Sequence, residues 1–566
     1  MPPTSNLVTD NLPGLLLLIL IIAVPLAFLG SIILLRLYRR AVIHVMRARA
    51  NPGLAESVST EASVPHQEPL KTMLNIIVLD SGSGRTAAPA AESLYAALLR
   101  APWRAAAIYA VAGICYALAM SIIFLAATGS GFDPFRFLIP FWYYAWPVAV
   151  TVCLIAAATW RTRLIVVAAY FLALIPLGAI ARLGISGFNW GQIALLWLLT
   201  NFLAAVVLLA FLNRRLRAVG PLVLTFMIVA VTGSVLLPFL AGGDTRLSGF
   251  VLIFGETASL NRNSIFFILV FTGLLLFSIL GWLMLGWIGH WYKQKKISEQ
   301  SITIDAIWLL FGIFQSIGLF FEGERWFVAS LLSFVVYKIV SWVGFLWLGR
   351  TPVSKRNSLN LLLLRVFALG GRSERLFDVL AMHWRYIGSI RLIAGPDLVT
   401  TTMEPHEFLD FLSGKLARRY IDNAQTLELR LSEMDLKPDF DGQFRVNDFF
   451  CYDDTWRMVL SRLVEESDVL LMDLRGFSSQ NTGVIFEINE LIDLVPLERI
   501  VFIIDDTTDE SFLRQVLQQA WKRMKPSSPN RRSTPGVLHL FRVRKIGNRE
   551  LQQFLNALSS AASAAR

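Results

Sequence analysis

Cysteine is nearly absent from this chain: three in 566 residues (Cys115, Cys153 and Cys451), two of them inside apolar runs. That scarcity excludes a disulfide framework and gives no metal-ligand spacing. Charge is scarce as well, at 16% Asp, Glu, Lys and Arg against the ~25% usual in soluble domains. With 55% hydrophobic residues and a mean hydropathy of +0.56, a wholly soluble protein is excluded. Acidic residues are short in one part only. Positions 1–349 hold 23 Lys+Arg against 13 Asp+Glu, whereas positions 350–566 hold 29 against 28. The formal charge of +11 therefore belongs to the apolar part, so the expected partner is a lipid bilayer and not nucleic acid.

What the chain has in abundance is apolar runs. A helix needs about 20 such residues to cross the hydrocarbon core, and nine stretches qualify: 14–35, 105–128, 137–158, 164–182, 190–212, 218–240, 264–290, 303–321 and 325–348. The first is preceded by Asp10 and followed by Arg36, Arg39 and Arg40, the charge order of an uncleaved anchor with its N-terminus outside. Alternating sides from there places 20 Lys+Arg on the cytoplasmic side and five on the other. This bias predicts a multi-pass protein of the plasma (inner) membrane with residues 350–566 in the cytoplasm. The expected division is a first anchor over 1–35, a cytoplasmic loop over 36–104, an eight-span bundle over 105–349 and a cytoplasmic domain over 350–566.

Polar groups inside the apolar runs are few: Lys338, Asn201, Gln315 and, near a segment start, Asp305. An intramembrane charge is costly unless it serves a pathway or finds a partner. Lys338 has either role open to it, while Asn201 and Gln315 suit helix-to-helix hydrogen bonds. Trp142, Tyr143, Tyr144 and Trp146 form a dense aromatic group beside Pro140 and Pro147, as expected of a packed, kinked helix. In the first cytoplasmic loop, 50–72 reads as a flexible linker, 74–79 as a strand, Ser81–Arg85 as a glycine-bearing turn and 90–100 as a helix. The strand is expected to pair with the sheet of the C-terminal domain and tether it to the bilayer.

From 358 onward, short apolar runs alternate with amphipathic segments, the pattern of a parallel sheet covered on both faces. Five strands are predicted, Leu361–Phe367, Ile390–Ala394, Val469–Leu474, Ile500–Asp505 and Val537–Val543. Helices are expected near 373–386, 405–421, 454–467, 482–494, 509–524 and 548–564. The fold class is thus an α-helical transmembrane bundle of about nine spans plus a doubly wound, mostly parallel α/β domain with flavodoxin-like strand order. In such sheets ligands bind beyond the carboxyl ends of the strands, where strand order reverses. Those ends carry Gly370, Gly371, Arg372 and Ser373; Asp397; Asp473, Arg475 and Ser478; and Asp505. Thr482 is placed to cap the following helix, and Glu487 falls one turn into it. The segment 396–452 holds Asp435, Asp439, Asp441 and Asp448 without EF-hand spacing.

The run Ser467-Asp468-Val469-Leu470-Leu471-Met472-Asp473, then Gly476-Phe477-Ser478, then Gly483-Val484-Ile485-Phe486-Glu487-Ile488 resembles two groups, the TIR domains and the nucleoside deoxyribosyltransferase-like proteins. Both resemblances imply a catalytic role for Glu487, in breaking an N-glycosidic bond of NAD or a nucleoside, and both imply a nucleotide ligand. Gly483 and Val484 stand where TIR domains usually carry an aromatic-Cys pair. Three functions follow as expectations: a membrane-anchored signalling or sensing module that binds a nucleotide or a protein partner, an N-glycosidic-bond hydrolase or transferase, and a transporter regulated by its tail. The sequence leaves the oligomeric state open, a homo-oligomer included.

Overall fold

Continuous apolar sequence without interior charge favours helices in lipid, where every backbone polar group must be satisfied within its own segment. The computed structural model describes residues 6–47, 73–79, 89–129, 133–184, 189–211, 213–242, 261–348, 358–366, 371–395, 399–532, 536–543 and 547–565, with 249 and 257 as isolated positions. Its first part is helical: α1 (Asn6–Arg47), α2 (Pro89–Ala127), α3 (Pro134–Tyr144), α4 (Trp146–Ile155), α5 (Trp160–Gly184), α6 (Trp190–Phe211), α7 (Arg214–Gly242), α8 (Arg262–Lys293), α9 (Glu299–Phe320) and α10 (Glu324–Leu348). Among the described residues eight helical segments are long and apolar enough to cross a membrane, α3 and α4 counting together as one. The sequence predicts nine. The stretch left over, 190–212, is folded as α6, but part of its side chains lie outside the described residues.

Local sequence explains the irregularities. Pro147 offers no N–H to the preceding turn, so the expected kink is a break at Ala145 between α3 and α4. The aromatic group there packs as one body: Trp142 stacks on Tyr170 with centroids 4.8 Å apart and donates from Nε1 to the Tyr170 carbonyl at 2.9 Å. Trp146 meets Trp197 edge-on at 5.0 Å. Helices α7 and α8 approach at two glycines. A Cβ on Gly233 would lie 2.3 Å from the Gly273 carbonyl oxygen, and one on Gly273 would lie 2.0 Å from that of Gly233. Only a missing side chain permits this contact, the small-residue packing that substitutes for a hydrophobic drive inside lipid.

The helix expected over 90–100 and the span expected at 105–128 are a single element, α2, of 39 residues, ~58 Å long at the helical rise. Pro102 sits inside it. The end before Pro102 buries Leu94 and Leu98 against Phe377, Leu380, Leu555 and Leu558 of the α/β part, so α2 belongs to both parts of the molecule.

The α/β part contains β2 (Leu359–Arg365), α11 (Gly371–Trp384), β3 (Gly388–Ile393), α12 (Pro405–Leu412), β4 (Tyr420–Ile421), α13 (Ala424–Ser432), β5 (Val446–Cys451), α14 (Trp456–Glu465), β6 (Val469–Asp473), α15 (Thr482–Leu494), β7 (Ile500–Ile504), α16 (Glu510–Lys522), β8 (Val537–Arg542) and α17 (Asn548–Ala564). With β1 (Asn75–Leu79) it builds a sheet of eight parallel strands in the order β1-β8-β7-β6-β2-β3-β5-β4. Five strands were expected, and these form the centre in the doubly wound order β3-β2-β6-β7-β8. The other three lie at the edges, β1 being the strand expected over 74–79 to join this sheet and β4 and β5 being additions. β4 and β5 come from the 396–452 segment, and β1 pairs with β8 in register from Asn75↔Val537 to Leu79↔Phe541. The helix predicted over 405–421 stops at Leu412 because Gly414 turns the chain at φ +69°, and the remainder becomes a 3-10 turn and β4.

Central strands are buried on both faces, and alternate residues divide between two cores. Leu362, Leu364, Leu470, Met472, Phe502 and Ile504 point into one, and Leu361, Leu363, Val469, Leu471, Val501 and Ile503 into the other. A third apolar cluster crosses the boundary between bundle and domain. It joins Tyr38, Val42 and Leu285 to Val399, Met403, Phe408, Tyr420 and Phe450.

Candidate functional site

The switch in strand order falls between β2 and β6, whose last residues, Arg365 and Asp473, are register partners. Asp473 is held by Arg475 through two bonds, Nε to Oδ1 at 2.8 Å and Nη2 to Oδ2 at 2.7 Å. The chain doubles back there because Gly476 adopts φ +71°. Arg475 Nη2 also donates to the Arg372 carbonyl at 3.1 Å. Arg372 Nη1 in turn donates to Asp505 Oδ2 at 2.9 Å and Thr507 Oγ1 at 3.1 Å, while Asp505 Oδ1 accepts the Thr507 N–H at 2.9 Å. Four residues singled out in the sequence, Arg372, Asp473, Arg475 and Asp505, thus form one connected rim. Ser373 is buried in the first turn of α11, and among the described residues its Oγ has no partner. Ser478 uses its N–H on Asn481 Oδ1, and Asn481, not Thr482, is the N-cap residue of α15. Gly371 opens α11, whereas Gly370 and Asp397 lie outside the described residues.

Glu487 is 4% exposed on the inner side of α15, and among the described residues its Oε2 has no hydrogen-bond partner. Burial pushes its carboxyl up to about 8, against the opposing influence of Arg365. The glutamate is therefore chiefly protonated near neutral pH. In that state it can donate a proton but is a poor nucleophile.

The intramembrane residues are mostly paired. Lys338 donates to Asp305 Oδ2 at 2.6 Å across α10 and α9, and Gln315 Oε1 accepts from the Tyr143 hydroxyl at 3.2 Å. Asn201 is fully buried, with no partner for its amide among the described residues.

A second polar constellation, not foreseen from the sequence, joins the bundle to the α/β domain. Ser298 caps α9 and donates its hydroxyl to Asp441. In the first turn of α9, Glu299 accepts from Arg385 Nη1 at 2.8 Å, both side chains being over nine-tenths buried. Arg445 binds Asp439 at 2.7 Å and Asp435 at 3.0 Å, and its guanidinium covers the Tyr292 ring 3.8 Å from the centroid. Glu404 accepts the Tyr292 hydroxyl and, at 2.8 Å, the Val446 N–H. The Tyr420 hydroxyl donates to the Val42 carbonyl of α1 at 2.8 Å. Burial pushes the Glu407 carboxyl up to about 8, against the pull of Arg419, Asp439 to about 7, against Arg445, and Asp448 to about 6, against the Thr402 hydroxyl. Asp435, Asp439 and Asp441 are thus docking groups, and Asp448 bonds to Thr402 within its own domain. Among the described residues no three His, Cys, Asp or Glu side chains are placed to hold a metal.

No protein-family model, curated protein or solved structure matches this chain. The resemblance carried by residues 467–488 has no support beyond that motif.

Proposed function

We propose that the chain is a multi-pass plasma-membrane protein, N-terminus outside, whose cytoplasmic α/β domain is a ligand-responsive signalling or sensing module mechanically coupled to the bundle. The observation that carries this reading is the joint between the two parts: the buried Glu299–Arg385 pair, the Arg445 guanidinium over the Tyr292 ring, an apolar cluster that crosses the boundary, and the shared helix α2. A domain that merely hung from the membrane would need none of these. Buried pairs lock one geometry because breaking one partner leaves an uncompensated charge. The switch-point rim supplies the ligand side. Arg372 is part-exposed and held only by hydroxyl and carboxylate groups of one loop, so a nucleotide phosphate can compete for it. Thermal denaturation of the whole protein in detergent, against a panel of nucleotides, tests this. A rise in Tm that Arg372→Ala removes is the expected result. No shift with any nucleotide, or one untouched by Arg372→Ala, would exclude the rim as a nucleotide site.

A second reading rests on Glu487. A buried, neutral carboxyl with a free oxygen suits a general acid that protonates the leaving group as an N-glycosidic bond of NAD or a nucleoside breaks. Incubating the full-length protein with NAD and nucleosides and finding no product that Glu487→Gln abolishes would dispose of it. Transport gains no support from Lys338, which is neutralised by Asp305.

A further inference from the structure

Three membrane helices begin on the side of the bundle that the α/β domain covers: α5 at Trp160, α7 at Arg214 and α9 at Glu299. Between these ends and α11 lies a cleft with about 60 Å³ of free space, into whose wall come Arg163, Arg214, Arg217, Glu299, Asp378 and Arg385. A single water needs ~10–15 Å³ by this measure, so the cleft has room for a small polyatomic group. Its lining also includes the apolar side chains of Leu154, Ile155 and Ile304.

The charges in this wall do not balance. Glu299 is engaged by Arg385, and Asp378 Oδ1 lies 3.8 Å from Arg214 Nε. That leaves Arg163 and Arg217. Each places Nε on a backbone carbonyl, Ala157 at 3.0 Å and Phe211 at 3.1 Å, and among the described residues neither has a carboxylate within ion-pair distance. Among the described residues two further donors in the wall make no hydrogen bond: Gln300 Nε2 and Arg385 Nη2, the latter on a side chain only 5% exposed and 3.9 Å from Glu404 Oε1. Buried donors without acceptors are rare in folded proteins, so donors of this kind favour an acceptor beside them. The N-terminal ends of three helices add partial positive charge at the same place. The field at the cleft is positive, and its donors are guanidinium forks that match the oxygens of a phosphate.

We propose that this cleft binds a phosphate group, seated on Arg163, Arg217 and Arg385, at the joint between the bundle and the α/β domain. The phosphate can belong to an anionic lipid headgroup reaching in from the adjacent leaflet or to free inorganic phosphate. Such a ligand would touch membrane helices and α11 together, so its occupancy would depend on the docked arrangement of the two parts.

The test uses the full-length protein, stripped of lipid in a neutral detergent, with two probes: inorganic phosphate, and phosphatidylglycerol with phosphatidylcholine as its uncharged counterpart. The expected result is a rise in Tm, with native mass spectrometry showing one bound phosphate or one retained phosphatidylglycerol. Arg163→Gln with Arg217→Gln weakens that binding at least tenfold, since each removes a charge-assisted bond. Arg104→Gln, which removes an exposed charge outside the cleft, leaves it unchanged. A response to phosphate alone identifies a soluble ligand, and a response to phosphatidylglycerol alone identifies a headgroup site. Silence with both probes, or equal losses in the cleft and Arg104 variants, overturns the proposal. Should the double variant not fold, the salt dependence of wild-type binding decides: an affinity indifferent to ionic strength overturns it equally.

Discussion

Replacing Glu487 by glutamine should stabilise the protein, and increasingly so as pH rises. The carboxyl ionises near 4.5 in an unfolded chain and is pushed up to about 8 by burial in the fold. Between those values the native state holds a proton that the unfolded chain has shed, so stability falls as pH rises through the window, and the whole loss has accrued above the folded value. At pH ~7 the accumulated cost, relative to a neutral side chain of the same shape, is about 3 kcal/mol. Glutamine escapes this cost, less whatever its amide loses by lacking an acceptor beside the unpartnered Oε2 position. At ~2–4 °C per kcal/mol for a domain of this size, Glu487→Gln gains roughly 6–12 °C in Tm. Full-length wild type and variant would be melted in detergent from about pH 5 to about pH 8, followed by near-UV circular dichroism. Taking the difference between the two proteins cancels the titrations of Glu407, Asp439 and Asp448, whose carboxyls are also pushed up by burial. The reasoning fails if the difference in Tm is flat with pH. It also fails if the variant is the less stable at every pH, which would mean that Glu487 is ionised in the fold and held by Arg365. Confirmation would show an acid kept where an amide is more stable, the trade expected of a group placed for function.

Four further outcomes are expected. Glu299→Gln and Arg385→Gln should each cost about 3–5 kcal/mol in chemical denaturation, with the double variant costing less than the sum; additive losses would show the pair to be uncoupled. Lys338→Met should lower thermal stability by leaving Asp305 unpaired, and adding Asp305→Asn should restore most of it; a double variant no better than the single argues against the pair. Residues 358–566 expressed alone should bind a hydrophobic dye and aggregate, because β8 loses its β1 partner and the face that received Leu94 and Leu98 is uncovered; a soluble monomer with a cooperative melt contradicts this. Gly233→Leu should prise α7 from α8 and lower the yield of monodisperse protein, since its side chain would enter the Gly273 carbonyl; unchanged yield and Tm would refute the close crossing.

The legible parts of the fold were those whose residues answer to a single environment. β2, β6 and β7 announced themselves as unbroken apolar runs because both of their faces are buried. β5 did not, since Asn447 and Asp448 interrupt it, and their side chains are spent locally on Asp435 and Thr402. The sequence of α2 reads as a helix over 90–100 and a span over 105–128, whereas Pro102 between them is an interior residue of one helix that passes from domain to bundle. The rim at the switch point could be placed because topology brings strand ends together wherever they fall in sequence. The joint could not. Its pairs link residues 86 and 112 positions apart, as in Glu299 with Arg385 and Tyr292 with Glu404, and no local pattern distinguishes such residues from solvated charges.

The same pairs limit how the two parts can influence each other. A ligand moves an equilibrium only by its difference in affinity for two arrangements, and turning a 1:99 mixture into 99:1 takes about 5.5 kcal/mol. Parting Arg385 from Glu299 strands buried charge at about 3–5 kcal/mol. Undocking the domain would break that pair together with the Tyr292–Glu404 and Ser298–Asp441 hydrogen bonds, and also expose the apolar cluster around Tyr38, Phe408 and Tyr420, a total beyond what one small ligand supplies. If the rim and the bundle communicate, then, they do so with the joint intact. The movable element left is α2, whose carbonyl at Leu98 lacks its usual N–H partner at Pro102. A bend there would shift the membrane part of α2 relative to the domain while Glu299 and Arg385 stay paired.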